Sequence, residues 1–102
     1  MPAAHLAPVE SATSPLGLAA WDVVAPGTSP EGWHEAGERV WVRPGPAPHG
    51  LCLLVPRGHG RPILGIVEPG RRLRGPWGEP CAAERWEIAG LVVGRSAARQ
   101  AA

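Results

Sequence analysis

The stretch LCLLVPRGHGRPILGIVE, residues 51–68, contains two short apolar runs joined by a glycine-rich turn. Leu51–Val55 is apolar at every position, as is typical of a strand whose two faces are both buried. The segment 58–60 reads Gly-His-Gly, and glycine readily adopts the backbone angles that a tight reversal requires. Pro62–Glu68 then returns alongside the first run. These patterns predict an antiparallel β-hairpin in the middle of the chain.

Other short apolar runs flank this hairpin, and each is bounded by glycine or proline. We expect further strands at residues 18–25, 38–43, 71–74 and 85–93, the last bent at Gly90. Residues 29–35 are predicted to form one helical turn, with Ser29 as the N-cap and Pro30 at the first helical position. Five or six short strands without a long helix indicate a mostly β fold, a small, strongly bent β-sheet or a partly open barrel.

The composition limits the classes of function. The chain has 102 residues, which is enough for one domain. All ten basic residues are arginine, and the formal net charge is +1. So small a net charge creates no global field that would attract nucleic acid or an anionic membrane. Because arginine keeps its proton at usable pH, the chain offers no side-chain amine as a base.

Shifts in composition indicate the domain boundaries. Residues 1–17 are rich in Ala, Pro and Ser without a period, so we expect a flexible leader or linker there. Residues 18–95 carry the predicted strands and form the β domain, and residues 96–102 are expected to be a frayed tail. No cationic segment precedes a long apolar stretch, which predicts neither a signal peptide nor a membrane helix and favours a cytoplasmic location.

Ser29, on a turn rich in Gly and Pro, has two interpretations. A serine before a single helical turn is commonly a cap. A nucleophilic serine would instead need an adjacent base, for which His34 and His59 are the candidates, and a carboxylate to orient the imidazole. Asp22 is the only aspartate in the chain, and no GxSxG motif surrounds the serine. The local sequence leaves both interpretations open.

The histidines and cysteines do not follow a metal-binding pattern. His49 and Cys52 make one loose pair, with His59 and Cys81 further along the chain. Zinc sites that can be recognised in a sequence usually show two close pairs of ligands. Two cysteines are also too few for a disulfide framework. We therefore predict no metal site and no cofactor.

Five tryptophans raise the question of base stacking. Platforms that stack single-stranded bases lie in basic grooves, and the one basic cluster here is formed by the arginines of residues 71–74, beside Trp77. We therefore predict no direct nucleic-acid binding and interpret the tryptophans as core fillers and interface anchors. Trp41, on the strand face opposite to two valines, is the candidate for an exposed or dimer-facing ring.

The turn at Ser29 and the strand after it resemble a known pair of motifs. Residues 27–32, GTSPEG, follow the apolar run WDVVA, and residues 37–42, GERVWV, come next. Residues 86–94, WEIAGLVVG, end in the form x-I-x-G-x-V-x-G. In order and spacing, residues 18–95 resemble the C-terminal domain of the LexA/phage-repressor family, the S24 self-cleaving serine peptidases. The corresponding motifs of that family are G-D-S-M-x-P and G-D-x-V-x-V.

The resemblance implies roles for two positions. Ser29 falls on the nucleophile of the family, although Thr28 replaces the aspartate before it and Pro30 the methionine after it. The lysine base of the family falls at or near Gly65, 36 residues after the serine, and the chain contains no lysine. Ser-Lys catalysis needs a neutral amine to take the hydroxyl proton, which glycine cannot do.

The resemblance therefore implies a catalytically degenerate LexA-like domain. Its expected function is an oligomerisation or regulatory module in phage- or stress-related transcriptional regulation, acting as a homodimer or with a regulatory protein partner. Two alternatives remain. In the first, the chain is an active serine hydrolase or self-cleaving peptidase that uses Ser29 with a base other than lysine. In the second, it is an unrelated small β-barrel protein-interaction domain.

Overall fold

The computed structural model describes residues 1–13, 16–47 and 49–97, and within them the chain forms ten β-strands and no helix. The strands are β1 (His5–Thr13), β2 (Ala19–Ala25), β3 (Gly27–Ser29), β4 (Gly32–His34), β5 (Arg39–Pro44), β6 (Gly50–Pro56), β7 (Ile63–Glu68), β8 (Arg72–Arg74), β9 (Pro80–Cys81) and β10 (Trp86–Ser96). The predicted mostly β fold is confirmed.

Eight of these strands form one antiparallel sheet in the order β1-β2-β5-β10-β6-β7-β8-β9, and β3 and β4 form a separate hairpin. The predicted central hairpin is β6–β7, with Leu53 opposite Leu64. The Leu6 backbone N–H donates to the Pro62 carbonyl oxygen at 3.0 Å, which brings β1 to the start of β7. Within the described residues no ladder joins the two outer strands, so the sheet remains open.

The core lies on both faces of β6. Leu51 and Leu53 join one buried cluster, and Cys52 and Leu54 join a second. This alternation explains why the run Leu51–Val55 is apolar at every position, because neither side of the strand faces water. The first cluster is completed by residues of β1, β2, β5 and β7, and the second by residues of β7 and β8.

Strand β10 lies between β5 and β6 at the centre of the sheet. Its register shifts between Ile88 and Gly90 on the β6 side, where the sequence predicts a bend. A Cβ at Gly90 would meet the Arg43 carbonyl oxygen and the Val42 side chain, so only glycine fits the approach of β5. The strand extends to Ser96, whereas most of the predicted frayed tail lies outside the described residues.

Two expectations about local structure are wrong. Residues 5–13, expected in a flexible leader, form β1 because Ala4 and Leu6 are buried in the first cluster. Residues 29–35, expected as a helical turn, form most of the β3–β4 hairpin instead. Gly32 adopts a φ of 115°, which lets the chain reverse after Ser29 without forming a helix.

Candidate functional site

The β3–β4 hairpin carries Ser29 and His34. In its register Gly27 lies opposite His34, and Ser29 lies opposite Gly32. Strand β3 is buried at all three positions, whereas β4 is exposed except at His34. The two polar side chains are therefore placed on the inner side of a short hairpin rather than on an open loop.

Backbone contacts with the first residues of the chain hold this hairpin in place. The Thr28 N–H donates to the Pro2 carbonyl oxygen at 2.8 Å, and the Ala4 N–H donates to the Thr28 carbonyl oxygen at 3.1 Å. Gly27 lies so close to the backbone of Ala3 and Ala4 that a Cβ there has no room. Segment 2–4 thus covers β3 next to Ser29.

Ser29 and His34 form a direct hydrogen bond. The Ser29 Oγ lies 2.6 Å from the His34 Nε2, and the two residues are only 4% and 1% exposed. The Glu31 N–H also donates to the Ser29 Oγ, at 3.1 Å. When Nε2 carries no proton, the hydroxyl donates to it, and this is the arrangement in which a histidine accepts a serine proton.

Glu38 stands on the other side of the His34 ring. Its Oε1 lies 3.9 Å from the His34 Nδ1, which is too far for a hydrogen bond. The Glu38 carboxylate is engaged elsewhere, because Oε1 accepts from the Arg95 Nη2 at 2.7 Å and Oε2 accepts from the Glu35 N–H. Among the described residues the buried Nδ1 has no hydrogen-bond partner. Ser29, His34 and Glu38 follow the order of a serine–histidine–acid triad, but the hydrogen bond between the histidine and the acid is missing.

The charge state of His34 follows from its surroundings. Burial, reinforced by the positive charge of Arg95, lowers the pKa of His34, while Glu38 and Glu31 act in the opposite direction. The imidazole is therefore neutral at pH 7. A neutral imidazole can accept the serine proton, as a general base must.

Gly65, where the resemblance places the lysine, lies in β7 opposite Cys52. A Cβ at Gly65 would lie 2.5 Å from the Leu54 Cδ1 and 2.6 Å from the Arg74 carbonyl oxygen. Since one of these neighbours is backbone, a side chain fits only if β8 shifts. The packing around Gly65 therefore leaves no space for a lysine side chain.

The other residues named from the sequence lie outside this pair. Asp22 binds Arg39, with 2.8 Å between Oδ1 and Nε, and His59 is exposed in the turn after β6. Glu38 and Arg95 were not identified from the sequence. Glu38 follows His34 by four residues, which is a weak signal, whereas Arg95 approaches only because β10 pairs with β5.

The cysteines and tryptophans add no chemistry to the site. Both thiols are free, and burial raises the pKa of Cys52 to about 12, so this thiol is not reactive at neutral pH. Trp41 is half-buried rather than fully exposed. In the part of the chain that the structure describes, no group of three or more His, Cys, Asp or Glu side chains is placed to hold a metal, and no helix is long and apolar enough to cross a membrane.

Comparisons of the chain with protein-family models, with curated proteins and with solved structures found no match.

Proposed function

We propose that the chain is a catalytically degenerate LexA-like (S24 peptidase-like) domain that serves as an oligomerisation or regulatory module, in phage- or stress-related transcriptional regulation. The order of its motifs supports the family, and the missing lysine supports the loss of Ser-Lys chemistry. The burial of the Ser29–His34 pair is the main support for the loss of catalysis, because a nucleophile has to reach its substrate.

A serine attack requires the substrate carbonyl carbon to come within about 3–3.5 Å of the hydroxyl oxygen. Ser29 is only 4% exposed and His34 1% exposed, so in this conformation a substrate carbonyl has no open path to the hydroxyl. A buried serine bonded in this way stabilises a hairpin. The pair is consistent with a scaffold that retains a former site as a structural contact.

Self-association is supported by the surface of the sheet. Val24 and Val93 are exposed apolar side chains on β2 and β10, and Trp33 is exposed on β4. Among the described residues β1 and β9 are the outer strands of the sheet, and β1 makes one backbone contact, from Leu6 to Pro62, beyond its pairing with β2. Exposed apolar side chains and open edges are features that a two-fold interface covers.

The test of this proposal is the mass of the purified chain by light scattering across a range of concentrations. We expect a dimer whose fraction rises with concentration, and we expect Trp33→Ser or Val93→Ser to reduce it. Leu16→Ser, which changes another exposed apolar residue, is the matched control. A chain that remains monomeric at high micromolar concentration contradicts the homodimer.

A second candidate function is serine hydrolysis, and one distance favours it. The 2.6 Å between Ser29 Oγ and His34 Nε2 supplies a base that the resemblance to Ser-Lys enzymes does not. A fluorophosphonate probe separates the two functions. Labelling that disappears in Ser29→Ala and in His34→Gln would support a hydrolase, and absence of labelling of the folded chain would support the degenerate domain.

A further inference from the structure

A cleft at the end of the β6–β10 ladder is lined by two arginines that form no ion pair among the described residues. Pro56 of β6 pairs with Trp86 of β10. Arg57 comes directly after Pro56 and Arg85 directly before Trp86, and the Arg57 N–H donates to the Arg85 carbonyl oxygen at 2.9 Å. They are thus a cross-strand pair at the end of the β6–β10 ladder. Like charges directly opposite each other in a sheet are destabilising.

Three other arginines of the chain are neutralised. Arg39, Arg74 and Arg95 bind Asp22, Glu68 and Glu38. Within the described residues neither Arg57 nor Arg85 forms an ion pair. Arg43, Arg61, Arg71 and Arg72 likewise form no ion pair among the described residues. What distinguishes Arg57 and Arg85 is that their two uncompensated charges lie opposite each other on one short stretch of sheet.

Both arginines line the same cleft, which has a volume of 440 Å³. His59 adds a third basic side chain and Trp86 an aromatic wall, while Glu84 is the one acidic side chain of the lining. A second cleft of 540 Å³ shares Glu84, Arg85 and Trp86, so the indole of Trp86 borders both. Small-molecule sites typically have volumes of about 300–1,000 Å³ and combine an apolar wall with a few polar groups.

We propose that this cleft binds a phosphate monoester carried on a flat, apolar group. The guanidinium forks of Arg57 and Arg85 match the oxygens of a phosphate, which carries about 1.5–2 negative charges at pH 7. Binding it relieves the repulsion between the two arginines, and the flat group packs against Trp86. This inference does not depend on the function proposed for the domain, because it uses none of the same residues.

The test is a titration with phenyl phosphate at constant ionic strength, followed by the indole N–H signal of Trp86 in two-dimensional NMR. Trp86→Phe assigns that signal. We expect a saturable shift, with affinity reduced about tenfold in Arg57→Gln or Arg85→Gln, since each removes a charged hydrogen-bond donor. Glu84→Gln should bind more tightly, because the opposing charge is lost. Inorganic phosphate and benzoate should both bind more weakly than phenyl phosphate.

Arg43→Gln is the matched control, because Arg43 is exposed and lies outside the cleft. Its affinity should equal that of the parent chain. If Arg43→Gln weakens binding of phenyl phosphate as much as Arg57→Gln does, the attraction is nonspecific and the proposal is overturned. A shift of the Trp86 signal that does not saturate would overturn it as well. Without ligand, Arg57→Gln and Arg85→Gln should melt no lower than the parent, and a lower Tm would show that the arginine pair is structural instead.

Discussion

The Ser29 hydroxyl lies between two nitrogen atoms inside the protein, the Nε2 of His34 at 2.6 Å and the backbone nitrogen of Glu31 at 3.1 Å. One hydroxyl thus satisfies a buried ring and the backbone of the hairpin turn. A polar group buried without a partner is unfavourable, so each contact has more effect here than it would in water.

Ser29→Ala should lower the free energy of unfolding by about 1–3 kcal/mol, because it leaves His34 Nε2 buried without a partner. Urea denaturation followed by tryptophan fluorescence measures this loss. Ser96→Ala is the control, since Ser96 is exposed at the end of β10, and it should have almost no effect. Equal stabilities of the two variants would mean that the Ser29–His34 bond contributes nothing.

His34 predicts how stability depends on pH. Burial lowers the pKa of His34 in the folded chain below 6.5, the value expected when it is unfolded. As the pH falls below about 6.5, the unfolded chain therefore binds a proton that the folded chain does not, and the free energy of unfolding decreases. The contribution is fully present above that pH and is lost as the pH falls toward the folded pKa.

Denaturation midpoints between pH 7.5 and pH 5 should show this decrease in the parent chain and a smaller one in His34→Gln. His59→Gln, which changes an exposed histidine, should keep the parent slope. If the denaturation midpoint of His34→Gln falls with pH as steeply as that of the parent chain, groups other than His34 cause the pH dependence.

The sequence identified part of this site for physical reasons. Ser29 and His34 are five residues apart on one hairpin, so local spacing brings them together, and His34 was already one of two candidate bases. The choice against His59 needed the structure, because a hairpin tip can point in any direction. Arg95 contacts Glu38 across a pairing of distant strands, which no local pattern encodes.

At the scale of single elements, β7 contains a glycine that packing requires. Gly65→Ala should destabilise the chain by about 1–3 kcal/mol, because its Cβ would overlap Leu54 and the backbone of Arg74. Gly94→Ala in β10 is the matched control, since a Cβ there meets nothing within 4 Å, and it should be neutral or slightly stabilising. Thermal unfolding distinguishes the two variants, and similar Tm values would contradict the close packing of β7.

Leu6 of β1 is only 2% exposed and belongs to the first core cluster, so its side chain should contribute strongly to stability. Leu6→Ala should lower the free energy of unfolding by about 2–5 kcal/mol. Leu16→Ala changes a leucine that is 84% exposed and should stay within about 0.5 kcal/mol of the parent. Chemical denaturation provides both values, and a tolerant Leu6 would show that residues 5–13 behave as the flexible leader expected from composition.

The elements differ in how far their sequence determines them. The β6–β7 hairpin was predictable because both runs are apolar and a Gly-His-Gly turn joins them. Strand β1 was not, because it lies within an Ala-, Pro- and Ser-rich segment that carries no apolar alternation, and its burial depends on contact with β2 and Pro62. The β3–β4 hairpin has too few residues for any periodic signal.

At the scale of the whole molecule, the centre of the sheet depends on residues far apart in sequence. Val42 of β5 pairs with Val92 of β10, 50 positions later. Because such contacts close long loops, we expect folding in milliseconds to seconds rather than microseconds. Stopped-flow tryptophan fluorescence after dilution from urea measures this rate, and a microsecond relaxation would contradict the long-range topology.

The central place of β10 also affects synthesis of the chain. The ribosome completes β5 and β6 before their shared neighbour exists, and 40 residues separate the ends of β6 and β10. At about 5–20 residues per second, translation of that interval takes about 2–8 s. During this time the nascent chain exposes two apolar strand edges, which are surfaces that chaperones bind and that neighbouring nascent chains can pair with.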